Sequence, residues 1–142
     1  MRGGALWAER EAAPEPLDGA FGAWLADPNV LVVAGCIDDV VIGIGVVEVE
    51  QLRDGSRHGV VRELYVEEGA RSVGVGEAMT NRMLAFCAER ACLGVDAVAL
   101  PGHRATKNFF EEQGFTARAL TMHTRIDPSA PGEPATVAIE RA

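Results

Sequence analysis

The run Glu63-Leu64-Tyr65-Val66-Glu67-Glu68-Gly69-Ala70-Arg71-Ser72-Val73-Gly74-Val75-Gly76 begins as a strand and ends in a glycine-rich turn. Beyond the turn the pattern becomes helical: Val75, Met79, Met83, Phe86, Cys87 and Ala91 line one face of a helix reaching to about Cys92. Strand, glycine turn and helix in that order gather backbone N–H groups at the positive end of a helix, a cup suited to a phosphate or pyrophosphate. A Walker loop would require Gly-Lys-Ser or Gly-Lys-Thr, whereas Gly74-Val75-Gly76 is followed by Glu77. A dinucleotide fingerprint would require a third small residue where Met79 stands. ATP, GTP and NAD are therefore disfavoured.

Working back from this run, Gly59 to Val66 is a strand in which Val61, Glu63 and Tyr65 are expected opposite Val60, Arg62, Leu64 and Val66. Arg53-Asp54-Gly55-Ser56 forms the preceding turn, and Val40 to Gln51 is a long Val- and Ile-rich strand. Val30 to Ala34 pairs with it as a hairpin through Cys36-Ile37-Asp38-Asp39. Earlier still, Leu17, Phe21, Trp24 and Leu25 recur as in a short helix stopped at Asp27-Pro28-Asn29. Residues 1–16, with Pro14 and Pro16, read as loosely ordered. Working forward, Leu93-Gly94 is expected to end the long helix. A strand from Val95 to Leu100 follows, then a helix from Arg104 to Gln113 closed by Gly114, and a strand from Phe115 to Ile126. Residues 127–142 are a C-terminal extension in which Thr136 to Glu140 suits an edge strand.

The 142 residues suit a single domain, 1–142, and 48% hydrophobic against 24% charged residues is a globular balance. No apolar run approaches the roughly 20 residues that cross a bilayer, and Met1-Arg2-Gly3-Gly4 does not open a signal peptide, so a cytoplasmic protein without a membrane partner is expected. The net charge of −8 argues against nucleic acid, whose recognition needs a basic face. All of that charge falls in residues 1–70, the rest being neutral overall, so an anion site belongs in the second half. Cys36, Cys87 and Cys92 lack paired metal-ligand spacing and read as small buried apolar residues; no metal is expected.

The strand ending Leu64-Tyr65-Val66, the Arg71-x-x-Gly74-x-Gly76 loop and, further on, Phe109-Phe110-Glu111-Glu112-Gln113-Gly114-Phe115 together resemble the GNAT superfamily of acyl-CoA N-acyltransferases. The resemblance covers roughly Val30 to Ile126. It implies an α/β (α+β) fold: a mixed, mostly antiparallel central sheet flanked by helices and splayed between two central parallel strands, here Gly59–Val66 and Val95–Leu100. It also implies acetyl-CoA as acyl donor. Main-chain groups of Leu64, Tyr65 and Val66 would meet the pantetheine arm, Arg71, Ser72, Val73, Gly74, Val75 and Gly76 would wrap the pyrophosphate, and Asn108 would reach the pantetheine.

By the same resemblance the activity is N-acetyl transfer to a primary amine by direct attack in a ternary complex. Such a transfer needs a neutral amine, a stabilised oxyanion and a proton for the leaving thiolate. The family often takes that proton from a tyrosine where this chain has Phe110, so Tyr65, the only tyrosine, becomes a candidate acid. Glu63 is the candidate base or water-holder, and His103 a candidate acid or cofactor contact. A catalytically degenerate acyl-CoA-binding regulatory module is the alternative, favoured by Phe110. The front of the chain offers one helix where the family usually has a strand and two helices, leaving the acceptor site open or shared with a partner in a homodimer.

Overall fold

The computed structural model describes residues 17–70, 74–99 and 104–129. Helix α1 (Leu17–Ala26) leads to β1 (Val30–Ile37), β2 (Val40–Gln51) and β3 (Arg57–Val66). A 3-10 turn (Glu68–Ala70) follows, then α2 (Val75–Glu89), β4 (Cys92–Ala97) and α3 (Arg104–Glu112). The strands form one sheet in the order β1-β2-β3-β4, antiparallel except for the parallel pair β3 and β4. Asp38 and Asp39, both at positive φ, make the tight turn of the first hairpin, so β1 runs to Ile37 rather than stopping at Ala34.

Helix α2 packs across all four strands, and the reason is written in its spacing. Val75, Met79, Met83 and Cys87, each four residues apart, meet Gly35, Gly43, Gly45 and Gly59 of the sheet in turn. A Cβ on any of these glycines would press into the facing side chain; at Gly43 it would lie 2.9 Å from Met79 Cε and at Gly59 2.6 Å from Cys87 Sγ. The glycines thus let the helix lie close to the sheet. Val47, Val49, Met83, Phe86 and Cys87 form the core beneath it.

Strand β3 corrects the expected alternation. Val46 pairs with Glu63 and Val47 with Val61, so Arg62 is an extra residue, a β-bulge. The bulge shifts the face of everything after it. Val61 and Leu64, three apart, both pack on the α2 core, and Val66 lies next to Gly76 on the same side. Arg62 donates from Nη2 and Nε to Glu48 Oε1 at 2.7 and 3.0 Å.

Three other expectations change. Helix α2 stops at Glu89, with Arg90 as C-cap and Ala91 at φ 59, and β4 therefore begins at Cys92 and not after Gly94. The alanine takes the left-handed position that glycine usually fills. Phe115 to Ile126 forms no strand: none of its residues pairs with the sheet. Of the cysteines only Cys87 is buried, Cys92 is half-buried and Cys36 is exposed. Burial, then the neighbouring Cys92, pushes the Cys87 thiol up to about 11, which keeps it protonated and unreactive. No helix among the described residues is long and apolar enough to cross a membrane.

Candidate functional site

The parallel strands β3 and β4 pair from Arg57 and Cys92 up to Val61 and Ala97, and there the ladder ends. Strand β3 continues for another turn of pleat, from the Arg62 bulge to Val66, held on one side by Val46 to Gly43 of β2. Its other edge has no strand beside it among the described residues. Backbone groups at a sheet edge can pair with an extended chain, which makes the wedge between the strands a candidate site. Glu68–Ala70 is a 3-10 turn, and the N-terminal turn of α2 lies beside the end of β3, where a Cβ on Gly76 would stand 3.6 Å from Val66 Cγ2.

At that N-terminus Gly74 adopts φ 83, a left-handed conformation open to glycine, with nothing within 4 Å of where a Cβ would sit. Among the described residues, nothing crowds that position. Gly76, by contrast, is buried: a Cβ there would meet the Phe109 ring at 3.2 Å and Val66 Cγ2 at 3.6 Å. Close packing at Gly76 seats α3 against the start of α2, and Phe110 is buried between Phe109 and Phe115, with ring centroids 5.4 and 5.1 Å away.

The sequence candidates fall around this wedge unevenly. Leu64 and Val66 turn their side chains to the core, and their main chains lie on the edge that β4 leaves. By the register after the bulge, Glu63 and Tyr65 lie on the sheet face away from α2; Tyr65 is 55% exposed and Glu63 half-buried. Asn108 is exposed on α3. Arg71, Ser72, Val73 and His103 lie outside the described residues, as does the Thr136 to Glu140 tail.

One polar cluster escaped the sequence reading. His58 on β3 places Nε2, which has no other polar partner among the described residues, 2.9 Å from Asp96 Oδ2 on β4. Arg118 grips the same carboxylate with both nitrogens, Nε meeting Oδ1 at 2.7 Å and Nη2 meeting Oδ2. Arg118 first, and His58 after it, outweigh partial burial and hold the Asp96 carboxyl down to about 2. The cluster borders a groove of about 460 Å³ along the outer edge of β4, lined also by Leu84, Gly94 and Phe115. Nothing local signalled it, because its members come from two strands and from the segment beyond α3.

With the splayed parallel pair and the glycine turn in place, comparison with known proteins is decisive. The profile of the Acetyltransferase (GNAT) family matches residues 5–115. The chain belongs to the GNAT acetyltransferase family. Its described architecture, a mixed sheet with one parallel pair flanked by helices, is the fold of solved GNAT relatives.

A transcriptional regulator from Bacillus halodurans C-125 superposes with a TM-score of 0.68 at 22% identity, over 78% of this chain and 77% of that one. Glucosamine-6-phosphate N-acetyltransferase from Arabidopsis thaliana gives 0.65 at 18% identity, over 80% and 78%. AAC(6')-Iy, solved in complex with the bisubstrate analog CoA-S-monomethyl-acetylneamine, gives 0.66 at 15% identity, over 83% and 86%. At these identities the likeness is one of fold. No curated protein matches the sequence. The GNAT assignment agrees with the family suggested by the Leu64-Tyr65-Val66 strand and the Gly74-x-Gly76 turn.

Proposed function

We propose that this chain is an acetyl-CoA-dependent N-acetyltransferase that passes an acetyl group directly to a primary amine while donor and acceptor are bound together. The observation that carries the reading is the wedge: among the described residues β3 and β4 part after Val61 and Ala97, and no strand of the sheet lies beside β3 at Leu64 and Tyr65 on that side. An amide-bearing pantetheine arm carries donors and acceptors that can pair with the main chain of Leu64 and Tyr65 at such an edge. In this reading the main chains of Leu64, Tyr65 and Val66 bind that arm, Asn108 approaches it from α3, and Arg71 to Gly76 with the helix N-terminus receives the pyrophosphate. Individual contacts of this kind are worth about 0.3–1 kcal/mol, so binding relies on several of them acting together.

Bound acetyl-CoA supplies the thioester. In the reaction a C–N bond forms and the C–S bond breaks; the amine loses one proton and the thiolate gains one. Glu63 takes the first, directly or through a water, and Tyr65 gives the second, both from the sheet face away from α2. His103 remains a further proposed donor. Phe110 has no hydroxyl and is packed among aromatic rings, which moves the acid role away from the place where the family often carries it.

That same observation favours a second reading, an acyl-CoA-binding regulatory module without turnover. Release of free thiol from acetyl-CoA, measured against a panel of primary amines, separates the two. The enzyme reading expects amine-dependent release that falls about 10²-fold or more in Tyr65→Phe or Glu63→Gln, in line with removal of a general acid or base. Saturable binding of acetyl-CoA with no release for any amine supports the module, and absence of binding overturns both.

A further inference from the structure

Two of the three cysteines meet at the end of α2, and the acyltransferase reading uses neither. Helix α2 closes with Arg90 as C-cap and Ala91 in the left-handed conformation, and Ala91 N–H donates to Ala88 O at 3.1 Å. A helix that ends this way folds the residue after the left-handed one back onto the third residue from the helix's end. Those two positions are Cys92 and Cys87.

Packing agrees with the backbone. Cys87 belongs to the core, Cys92 packs against that core, and Cys92 stands close enough to act on the Cys87 thiol. Cys87 Sγ fills the space that Gly59 leaves on β3, and Cys92 pairs with Arg57, two residues earlier on the same strand. The ladder is irregular at this point. Arg57 pairs with Cys92 and Gly59 with Val95, so β4 advances three residues while β3 advances two. A strand start with such slack can shift without breaking the pairs above it.

We propose that Cys87 and Cys92 are a redox-active pair that closes to an intramolecular disulfide by exchange with a low-molecular-weight disulfide such as oxidised glutathione. The proposal stands independently of the acyltransferase reading. Cys92, half-buried, begins the exchange. Its thiolate, having lost a proton to solvent, attacks one sulfur of the reagent, forming a mixed disulfide and releasing one small thiolate. Cys87, 1% exposed, is shielded from molecules in solution but needs no solvent path to a sulfur already beside it. It loses its proton, attacks Cys92 Sγ and expels the second small thiolate. Two protein thiols are thus oxidised as one small disulfide is reduced to two thiols. The new bond ties the end of α2 to the start of β4, the two elements whose opposite ends border the wedge.

The full chain in a Cys36→Ser background, equilibrated in a glutathione redox buffer and digested with trypsin without reduction, tests this. Arg90 lies between the cysteines, so cleavage separates Met83–Arg90 from Ala91–Arg104 unless the disulfide joins them. Joined peptides, loss of both thiols and a chain mass lower by two hydrogens are expected. The folded chain should favour the closed form at least about 10-fold more than the same chain in urea, and the closed form should melt higher than the open one. With Cys87→Ser the reaction should stop at a glutathione adduct on Cys92, and with Cys92→Ser the folded chain should gain no adduct. Both thiols surviving, a lasting adduct on Cys92 while Cys87 is present, or a closed form no more favoured in the folded chain than in urea would each overturn the proposal.

Discussion

Adding one methyl group at Gly59 tests how α2 holds the two parallel strands together. An alanine Cβ there would stand 2.6 Å from Cys87 Sγ and 3.1 Å from Val95 Cγ2. Normal carbon to sulfur contact is about 1 Å longer than the first of these, so the sulfur, held in a buried helix residue, has to move or the strand has to bend. Overpacking of this kind costs about 1–3 kcal/mol. Replacing glycine in a strand returns about 0.5–1 kcal/mol by restricting the unfolded chain. Gly59→Ala should therefore lose about 1–2 kcal/mol net.

The cause can be isolated with Cys87→Ala, which removes the clashing sulfur. If the clash is the cost, the two changes are not additive, and the double variant recovers at least about 1 kcal/mol relative to the sum of the singles. Urea unfolding at pH 7 of the four proteins gives the coupling directly. Additivity within about 0.5 kcal/mol would refute the reasoning, showing that Gly59 and Cys87 do not share the space the structure gives them.

Two further outcomes follow from the backbone and from the charge cluster. Ala91 is held at φ 59 just after α2, so Ala91→Gly should stabilise the chain by about 1 kcal/mol in the same assay, and a loss of stability would place the helix end elsewhere. The Asp96 carboxyl, held to about 2 by Arg118 and then His58, stands below the unfolded value of about 3.9, so its stabilisation is present above about pH 4 and fades as pH falls toward 2. Asp96→Asn should destabilise at pH 7 by less than about 1 kcal/mol, because solvent screens the pair. That gap should close between about pH 4 and 2 in thermal melts; a gap that persists at pH 2 would contradict the ionic account.

Much of this architecture was legible from pattern. The hairpin and the α2 face built on Met79, Met83, Phe86 and Cys87 follow from periodicity, because burial against one sheet face imposes it. Alternation failed at Arg62, since a bulge adds a residue without leaving a trace in side-chain type, and it moved Val61 to the same face as Leu64. The helix end moved from Leu93-Gly94 to Ala91, where backbone hydrogen bonds from Arg90 and Ala91 to Cys87 and Ala88 close the turn despite the cost of a left-handed alanine. Phe115 to Ile126 carries strand chemistry but forms no strand, with no strand beside it among the described residues, and sequence reports the propensity of a segment but not the presence of its partner. The same limit hid His58, Asp96 and Arg118, which meet only once β3, β4 and the end of α3 are in place.

The central claim is that the β3 edge left by β4 receives coenzyme A. Amide exchange followed residue by residue by nuclear magnetic resonance, as coenzyme A is titrated in, tests it most directly. Saturable binding that slows exchange across Glu63 to Val66 and shifts the amides of Gly74 to Gly76, and is lost in Gly74→Val while the remaining amides keep their protection, is the result predicted. Binding that leaves Glu63 to Val66 exchanging as before, or no binding at all, would contradict it.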